Sequence, residues 1–180
     1  ILYHPQKPLV STRCAKYVNT DILSSGENAI VAIATYTGYN QEDSLIMNLT
    51  SIERGMFRST SLKKYLSSIS KNQNTSQDDI FTKPDPNKVI GIRHGSYDKL
   101  NPSGFVPEET VINNGDIILA KIKPIQQDIK TNSEKAFKDD SEVYKSHAPG
   151  VVDRIYTKIY NQDMFETRKM LVRSERIPHI

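Results

Sequence analysis

The sequence predicts a mainly β chain with short helices, an α+β fold. Between Val89 and Ile122 the apolar residues fall in short clusters cut by Gly91, Gly95, Gly104 and the run Asn113-Asn114-Gly115-Asp116, which are strand and turn signals. From Gly150 to Arg173 apolar and charged residues alternate: Val152, Ile155, Ile159, Met170 and Val172 against Asp153, Arg154, Lys158, Lys169 and Arg173. Asn161-Gln162-Asp163 supplies the turn of a hairpin there. Helix signals are confined to a capping box, Thr50-Ser51-Ile52-Glu53, with Gly55 as its stop.

Taken in order, residues 1–28 carry Pro5, Pro8, Ser24, Ser25 and Gly26, too much punctuation for a long helix, and predict an extended lead-in. Lys7 and Arg13 in this stretch read either as ordinary surface charge or as phosphate contacts. The apolar run Ala29 to Ala34, bounded by Gly26 and Gly38, has the length of a buried strand, with a short core helix as the alternative. After the capping box, Met56 to Leu66 suits a strand with one wet side. Lys63 and Lys64 on it are either edge-protecting lysines or a phosphate-facing pair. The polar run Ser67 to Asp79 predicts a mobile surface loop, and Gln126 to Glu142, with mixed charges, a solvated or partly helical linker. Arg168, Lys169, Arg173 and Arg176 on the final hairpin read either as nucleic-acid contacts or, more commonly on an alternating strand, as its wet side.

With 180 residues, 37% of them hydrophobic, the chain can form one sizeable core or two small ones and reads as soluble and globular. No apolar run approaches the length of a membrane span, so no membrane partner is expected. The single cysteine, Cys14, excludes a disulfide framework and is expected to be a buried or half-buried thiol. His4, His94, His147 and His179 are too scattered for a metal-binding helix motif. A net charge of +3 permits contact with phosphates without demanding it. The first residue, Ile1, is not a methionine, and the ending Ile177-Pro178-His179-Ile180 has no polar tail. A segment of a longer polypeptide is expected.

The chemistry concentrates in Tyr39-Asn40-Gln41-Glu42-Asp43-Ser44, a short link between the apolar run Ala29 to Ala34 and Leu45-Ile46-Met47. Ionised carboxylates carried into a core are costly unless paired or bound to metal, so Glu42 and Asp43 are the candidate metal-ligating residues. They converge on one ion only if the chain turns between them, since successive side chains of a strand point to opposite faces. A solvated loop and a helix cap are the other readings of the pair.

Gly38-Tyr39-Asn40-Gln41-Glu42-Asp43-Ser44, then Ile46-Met47-Asn48 and Ser51-Ile52-Glu53-Arg54-Gly55, resembles the signature of the second-largest subunit of multisubunit DNA-directed RNA polymerases, most closely the eukaryotic RNA polymerase II type. Tyr3-His4-Pro5-Gln6-Lys7-Pro8-Leu9 and His94-Gly95-Ser96-Tyr97-Asp98-Lys99-Leu100 resemble the same family in the same order. The resemblance implies the N-terminal part of the hybrid-binding domain, with the acidic motif, at residues 1–66, a wall or flap insertion with flexible loops at 67–149 and truncated return strands of the hybrid-binding domain at 150–180, the whole including part of a double-psi β-barrel. It implies template-directed RNA synthesis from ribonucleoside triphosphates by two-metal nucleotidyl transfer. One Mg²⁺ is held by aspartates of the largest subunit; Asp43, with Glu42 as helper, approaches the second.

Lys7, Lys63 and Lys64 are the implied nucleic-acid contacts. The implied partners are the largest and other polymerase subunits, the DNA template and the RNA–DNA hybrid. The implied compartment is the nucleus, or a viral particle or cytoplasmic viral factory. The Gly-Asp-Lys and His-Gly-Gln-Lys-Gly segments of the family are absent from these 180 residues, and without them and the aspartates of the largest subunit no activity is expected of the chain alone. A non-catalytic RNA–DNA-binding β-domain is the alternative.

Overall fold

The computed structural model describes residues 1–71, 76–125 and 135–180. The centre of the polar run, 72–75, and most of the charged segment, 126–134, lie outside the described residues. The elements are a helix α1 (Leu49–Glu53) and strands β1 (Ser59–Ser68), β2 (Val89–Ile90), β3 (Val111–Ile112), β4 (Ile117–Leu119), β5 (Ile122–Pro124), β6 (Phe137–Asp139), β7 (Glu142–Val143), β8 (Gly150–Tyr160) and β9 (Glu166–Arg176). The mainly β, α+β expectation holds. Among the described residues no helix is long and apolar enough to cross a membrane.

Strands β1, β9, β8 and β3 form one sheet in that order; β2, β6 and β5 form a second; β4 and β7 pair alone. The β8–β9 hairpin turns where the sequence places it. Asn161 Oδ1 accepts from the Asp163 amide at 3.0 Å and the Phe165 amide at 2.8 Å, the local bonding that makes asparagine a turn residue. Two compact units divide the chain: Ile1–Ser61 with Glu175–Ile180, and Leu62–Ser174.

The core belongs to the Leu62–Ser174 unit. Leu100, Val106, Ile112, Ile117, Ile118, Leu119, Ala120, Tyr144, Val152, Met170 and Val172 form one buried cluster, with Tyr65 packed against it. Each of β3, β4, β8 and β9 sends residues into it, so the hairpin and the glycine-punctuated stretch bury one another. The turn between β3 and β4 closes with the Asp116 amide donating to the Asn113 carbonyl at 3.1 Å. Gly115 there has φ +91°, a conformation that a Cβ disfavours and a type II turn requires.

The His94–Leu100 motif is bonded to the turn between β3 and β4. Ser96 N–H donates to the Gly115 carbonyl at 3.2 Å and Ile117 N–H returns to the Ser96 carbonyl at 2.9 Å. A Cβ on Gly95 would collide with the Gly115 carbonyl oxygen, so the close approach needs glycine. Lys99 Nζ reaches Asp116 at 2.6 Å.

The Ile1–Ser61 unit with residues 175–180 has a different character. Its buried residues are Ala15 and Gly55, while Leu9, Val18, Leu23, Ile30, Ile33 and Leu45 are exposed. The expected buried strand at Ala29 to Ala34 is absent: the segment has no strand partner and Ile30 and Ile33 are fully exposed. The reason is its pattern. A run apolar at consecutive positions must be covered on both faces, and this unit supplies neither cover.

Cys14, expected buried, is exposed, because the single 3₁₀ turn Arg13–Lys16 turns Ala15 inward instead. The helix α1 begins two residues earlier than the capping box predicts. Asn48, not Thr50, is the N-cap, its Oδ1 accepting from the Ser51 amide at 2.9 Å, and Glu53 falls at the helix end where it cannot reach back. The stop is as expected: Gly55 N–H donates to the Ile52 carbonyl at 2.9 Å and Met56 N–H to the Ser51 carbonyl at 3.0 Å, a Schellman motif with Gly55 at φ +111°.

The polar run after β1 is not a free surface loop along its described length. The backbones of Lys71 and Asp78 pair as an isolated antiparallel β-bridge, and Asp79 is buried, accepting from the Ser70 amide at 3.1 Å and the Ser70 hydroxyl at 2.8 Å. An acidic residue turned inward anchors the end of this run.

Candidate functional site

The acidic link is a stack of local turns. Asn40 closes the first: its Nδ2 donates to the Ala34 carbonyl at 2.6 Å, and its Oδ1 accepts from the Tyr36 amide at 3.0 Å. Between these anchors Thr37 and Gly38 take φ of +59° and +77°, a left-handed bend that Gly38 tolerates freely and Thr37 does not. A second, tighter turn follows at once. Asp43 N–H donates to the Gln41 carbonyl at 2.8 Å, and Glu42 between them has φ +60°. A bond spanning two residues around a positive φ is a γ-turn of the rare, strained kind.

The link between buried segments expected from the sequence is therefore corrected. Glu42 and Asp43 stand exposed, as do Ile33 before them and Leu45 after them. The chain turns at Glu42. Asp43 Oδ1 accepts from the neighbouring Ser44 hydroxyl at 3.3 Å, and neither carboxylate has an ion pair among the described residues. Neither caps α1, since Asn48 does. Both carboxylates are thus available as oxygen donors to something outside the chain.

Among the described residues there is no cluster of three or more His, Cys, Asp or Glu fit to hold a metal alone. A pair of carboxylates with phosphate oxygens is nonetheless a usual Mg²⁺ donor set, because that ion keeps waters and shares its coordination with substrate phosphates. The donor chemistry fits a shared ion and not a resident one.

The predicted basic contacts sit apart from one another in character. Lys7 has an exposed side chain, and its carbonyl accepts from Asn28 Nδ2 at 2.8 Å, with Gln6 Oε1 accepting from the Asn28 amide at 2.9 Å. Lys63 and Lys64 are adjacent on β1, so they point to opposite faces and do not form one patch. Lys63 Nζ lies 5.2 Å from the Tyr65 ring centroid, on the face that Tyr65 shares. Leu62 and Leu66, which share the other face with Lys64, are exposed.

Two buried charged groups of the Leu62–Ser174 unit, Lys121 and Asp139, do not stand out in the sequence. Lys121 is buried, its Nζ donating to the Ser68 carbonyl at 2.8 Å, 3.2 Å from Asp140 and 3.4 Å from Asp79. Its position inside the apolar run Ile117 to Ile122 was the available signal, since a charge there must find partners. Asp139 is buried and accepts from the Tyr97 hydroxyl, the Arg93 amide at 3.2 Å and the Ser141 amide at 3.0 Å.

Arg168, placed on the wet side by the sequence, is buried. Its guanidinium carbon lies 4.3 Å from the Phe81 ring centroid and 5.5 Å from that of Phe105, and it donates to the Ser103 carbonyl. It shares strand parity with Met170 and Val172, and that parity overrules its charge. Burial lowers its pKa, opposed by Glu166.

The chain is thus β-rich, with an exposed double-carboxylate turn and, among its described residues, no group of side chains that could hold a metal ion unaided. The chain belongs to the family described as RNA polymerase Rpb2, domain 6, whose model matches residues 1–180. It is 49% identical over 181 residues to DNA-directed RNA polymerase subunit 2 of Acanthamoeba polyphaga mimivirus, covering 100% of this chain and 15% of that protein. It is 42% identical to DNA-directed RNA polymerase II subunit 2 of Arabidopsis thaliana, again over 100% of this chain and 15% of the relative. The archaeal subunit Rpo2 of Sulfolobus acidocaldarius is 36% identical over 100% of this chain and 16% of its own length. The chain thus spans about 15% of the length of the curated relatives it matches.

Proposed function

We propose that this chain is the stretch of a second-largest RNA polymerase subunit that brings Glu42 and Asp43 to the nucleotide during template-directed RNA synthesis, and that it acts only within the multisubunit assembly. The observation that carries the reading is the exposed turn at Glu42. Its two carboxylates have no ion-pair partner among the described residues, and they sit in a family named for this polymerase subunit. Structural carboxylates are normally paired or hydrogen-bonded by the fold itself, as Asp79 and Asp139 are here. Asp43 and Glu42 are left for a partner.

The Mg²⁺ that accompanies an incoming ribonucleoside triphosphate supplies charge neutralisation of the phosphates and of the leaving pyrophosphate. Asp43 is the group that would hold it from this side, with Glu42 assisting. The chain's own contribution is to fix these carboxylates before the nucleotide arrives, so that no reorganisation is needed during reaction. Lys7, with its backbone tied to Asn28, is proposed to face nucleic-acid phosphate, and of Lys63 and Lys64 only one can contact a given phosphate row.

The uncovered apolar residues Ile30, Ile33 and Leu45 support a larger assembly. The proposed cover is the remainder of the subunit, completing a double-psi β-barrel, with the largest subunit opposite. Residues 67–149 are the proposed wall beside the DNA template and RNA–DNA hybrid. The compartment proposed is the nucleus or a viral factory, matching the sources of the relatives.

The test is Asp43→Ala in the full-length subunit within a reconstituted polymerase. Assembly is expected to be intact and nucleotide addition to fall by about a hundredfold or more. Unchanged elongation contradicts the reading.

A further inference from the structure

We propose that Asn40 is a positioning residue for the acidic turn, holding Asp43 in place through the backbone without touching nucleotide or metal. The inference rests on the reading of Glu42 and Asp43 given above. It follows from how little else holds this segment. From Thr35 to Ile46 every residue but the half-buried Asn40 is exposed, so packing within the chain does not fix its path. Local hydrogen bonds must do so.

The Asn40 amide group makes two of them at once, donating to the Ala34 carbonyl at 2.6 Å and accepting from the Tyr36 amide at 3.0 Å. These bonds tie the start of the loop to the residue that enters the γ-turn. They also hold Thr37 at φ +59°, a conformation unfavourable for a β-branched residue that relaxes once the clamp is cut. Glu42 at φ +60° follows two residues after Asn40, so a change in the entry direction is transmitted to Asp43 over a single strained turn. The side-chain amide presents its donor and its acceptor on two separate atoms, an arrangement shared only by glutamine among amide side chains, and glutamine adds a methylene. Aspartate at this position keeps the acceptor for Tyr36 and loses the donor to Ala34.

The experiment places Asn40→Ala and Asn40→Asp in the full-length subunit of the assembled polymerase, with Asp43→Ala in parallel. Two quantities are read: millisecond hydrogen exchange at the Asp43 amide without nucleotide, and the Mg²⁺ concentration giving half-maximal nucleotide addition. For Asn40→Ala, faster exchange at Asp43 and a Mg²⁺ requirement raised by about tenfold are expected, with the rate restored at saturating Mg²⁺. Asn40→Asp is expected to fall between Asn40→Ala and the unsubstituted protein.

If Asp43→Ala is severe while exchange at Asp43 and the Mg²⁺ requirement are unmoved in both Asn40 variants, the inference is overturned and the reading of Asp43 stands. A rate lowered equally at every Mg²⁺ concentration also overturns it, because that marks a merely structural role. Should Asn40→Ala fail to assemble, Asn40→Asp decides by the same two readouts. Unchanged elongation in Asp43→Ala removes the reading of the pair, and the inference falls with it.

Discussion

Lys121 Nζ lies 3.4 Å from the Asp79 carboxylate, and both side chains are buried. With Asp140 at 3.2 Å and the Ser68 carbonyl at 2.8 Å, the ammonium ties the end of β1 and the polar run beyond it to the strand-rich core. Removing one partner of a buried pair costs more than the pair contributes, because the other charge is stranded. Lys121→Ala is expected to destabilise the chain by about 3–5 kcal/mol. A urea unfolding midpoint that barely moves contradicts the arrangement.

Asp140 gives this network its acid limit. Burial pushes its carboxyl pKa up, but the hydrogen bonds from Lys123 and Lys121 outweigh burial, and the net shift is downward. A carboxylate with a depressed folded-state pKa contributes stability at pH above its ordinary value, and that contribution is lost as pH falls through the folded value. Asp140→Asn is therefore expected to lower stability at neutral pH and to reduce its dependence on pH in the acid range below about pH 4. Urea unfolding of both proteins across that range is the check.

Tyr97 predicts the opposite limit. Burial and the hydrogen bond to Asp139 raise the pKa of its phenol well above the ordinary value. Stability from this interaction is present below about pH 10 and is lost as pH rises toward the folded-state value. Tyr97→Phe is expected to cost about 1–3 kcal/mol by withdrawing a donor from a buried carboxylate. In the unsubstituted chain, absorbance titration should find one tyrosine ionising later than the exposed ones.

Arg168 offers a test of shape against charge. Its planar guanidinium sits against Phe81 and Phe105, a geometry that an ammonium does not reproduce. Arg168→Lys is expected to lose about 2 kcal/mol despite keeping the charge. Equal stability of the two proteins means that the aromatic contacts contribute nothing.

How much of this was legible in the sequence depended on whether a feature is local. The β8–β9 hairpin and its Asn161 turn were readable, because period-two alternation and turn chemistry are written in consecutive residues. The Gly55 stop was readable for the same reason. Its N-cap was misplaced because Thr50 and Asn48 are both acceptable caps and the backbone chose the earlier one. Burial was harder, since it depends on what lies opposite. Ile30 and Ile33 have the composition of a core and are exposed, while Arg168 and Asp79 have the composition of a surface and are buried. For Arg168 the parity of the strand held the answer. For Asp79 it lay in Lys121, far along the chain.

The acidic pair stood out as a motif, but its geometry did not. Nothing in Gln41-Glu42-Asp43 announces a positive φ at Glu42, because glutamate is not a residue that seeks one. The double bond of Asn40 to Ala34 and Tyr36 was equally hidden in a run of polar residues.

The exposed apolar run makes its own prediction. Ile30→Asp with Ile33→Asp is expected to reduce self-association of the isolated chain in light scattering, and to block incorporation of the full-length subunit into the polymerase. Normal incorporation contradicts the proposal that the rest of the assembly covers this run.

The most direct test of the account is to map which residues lie beside the nucleotide's metal. Fe²⁺ replaces Mg²⁺ in the assembled polymerase, and the hydroxyl radicals it generates cut the backbone next to the ion. Cleavage of the subunit at Glu42–Asp43 that appears only when a ribonucleoside triphosphate is bound is the predicted result. Nucleotide-dependent cleavage elsewhere in the assembly, with the 42–43 turn left intact, contradicts the placement of Asp43 at the metal.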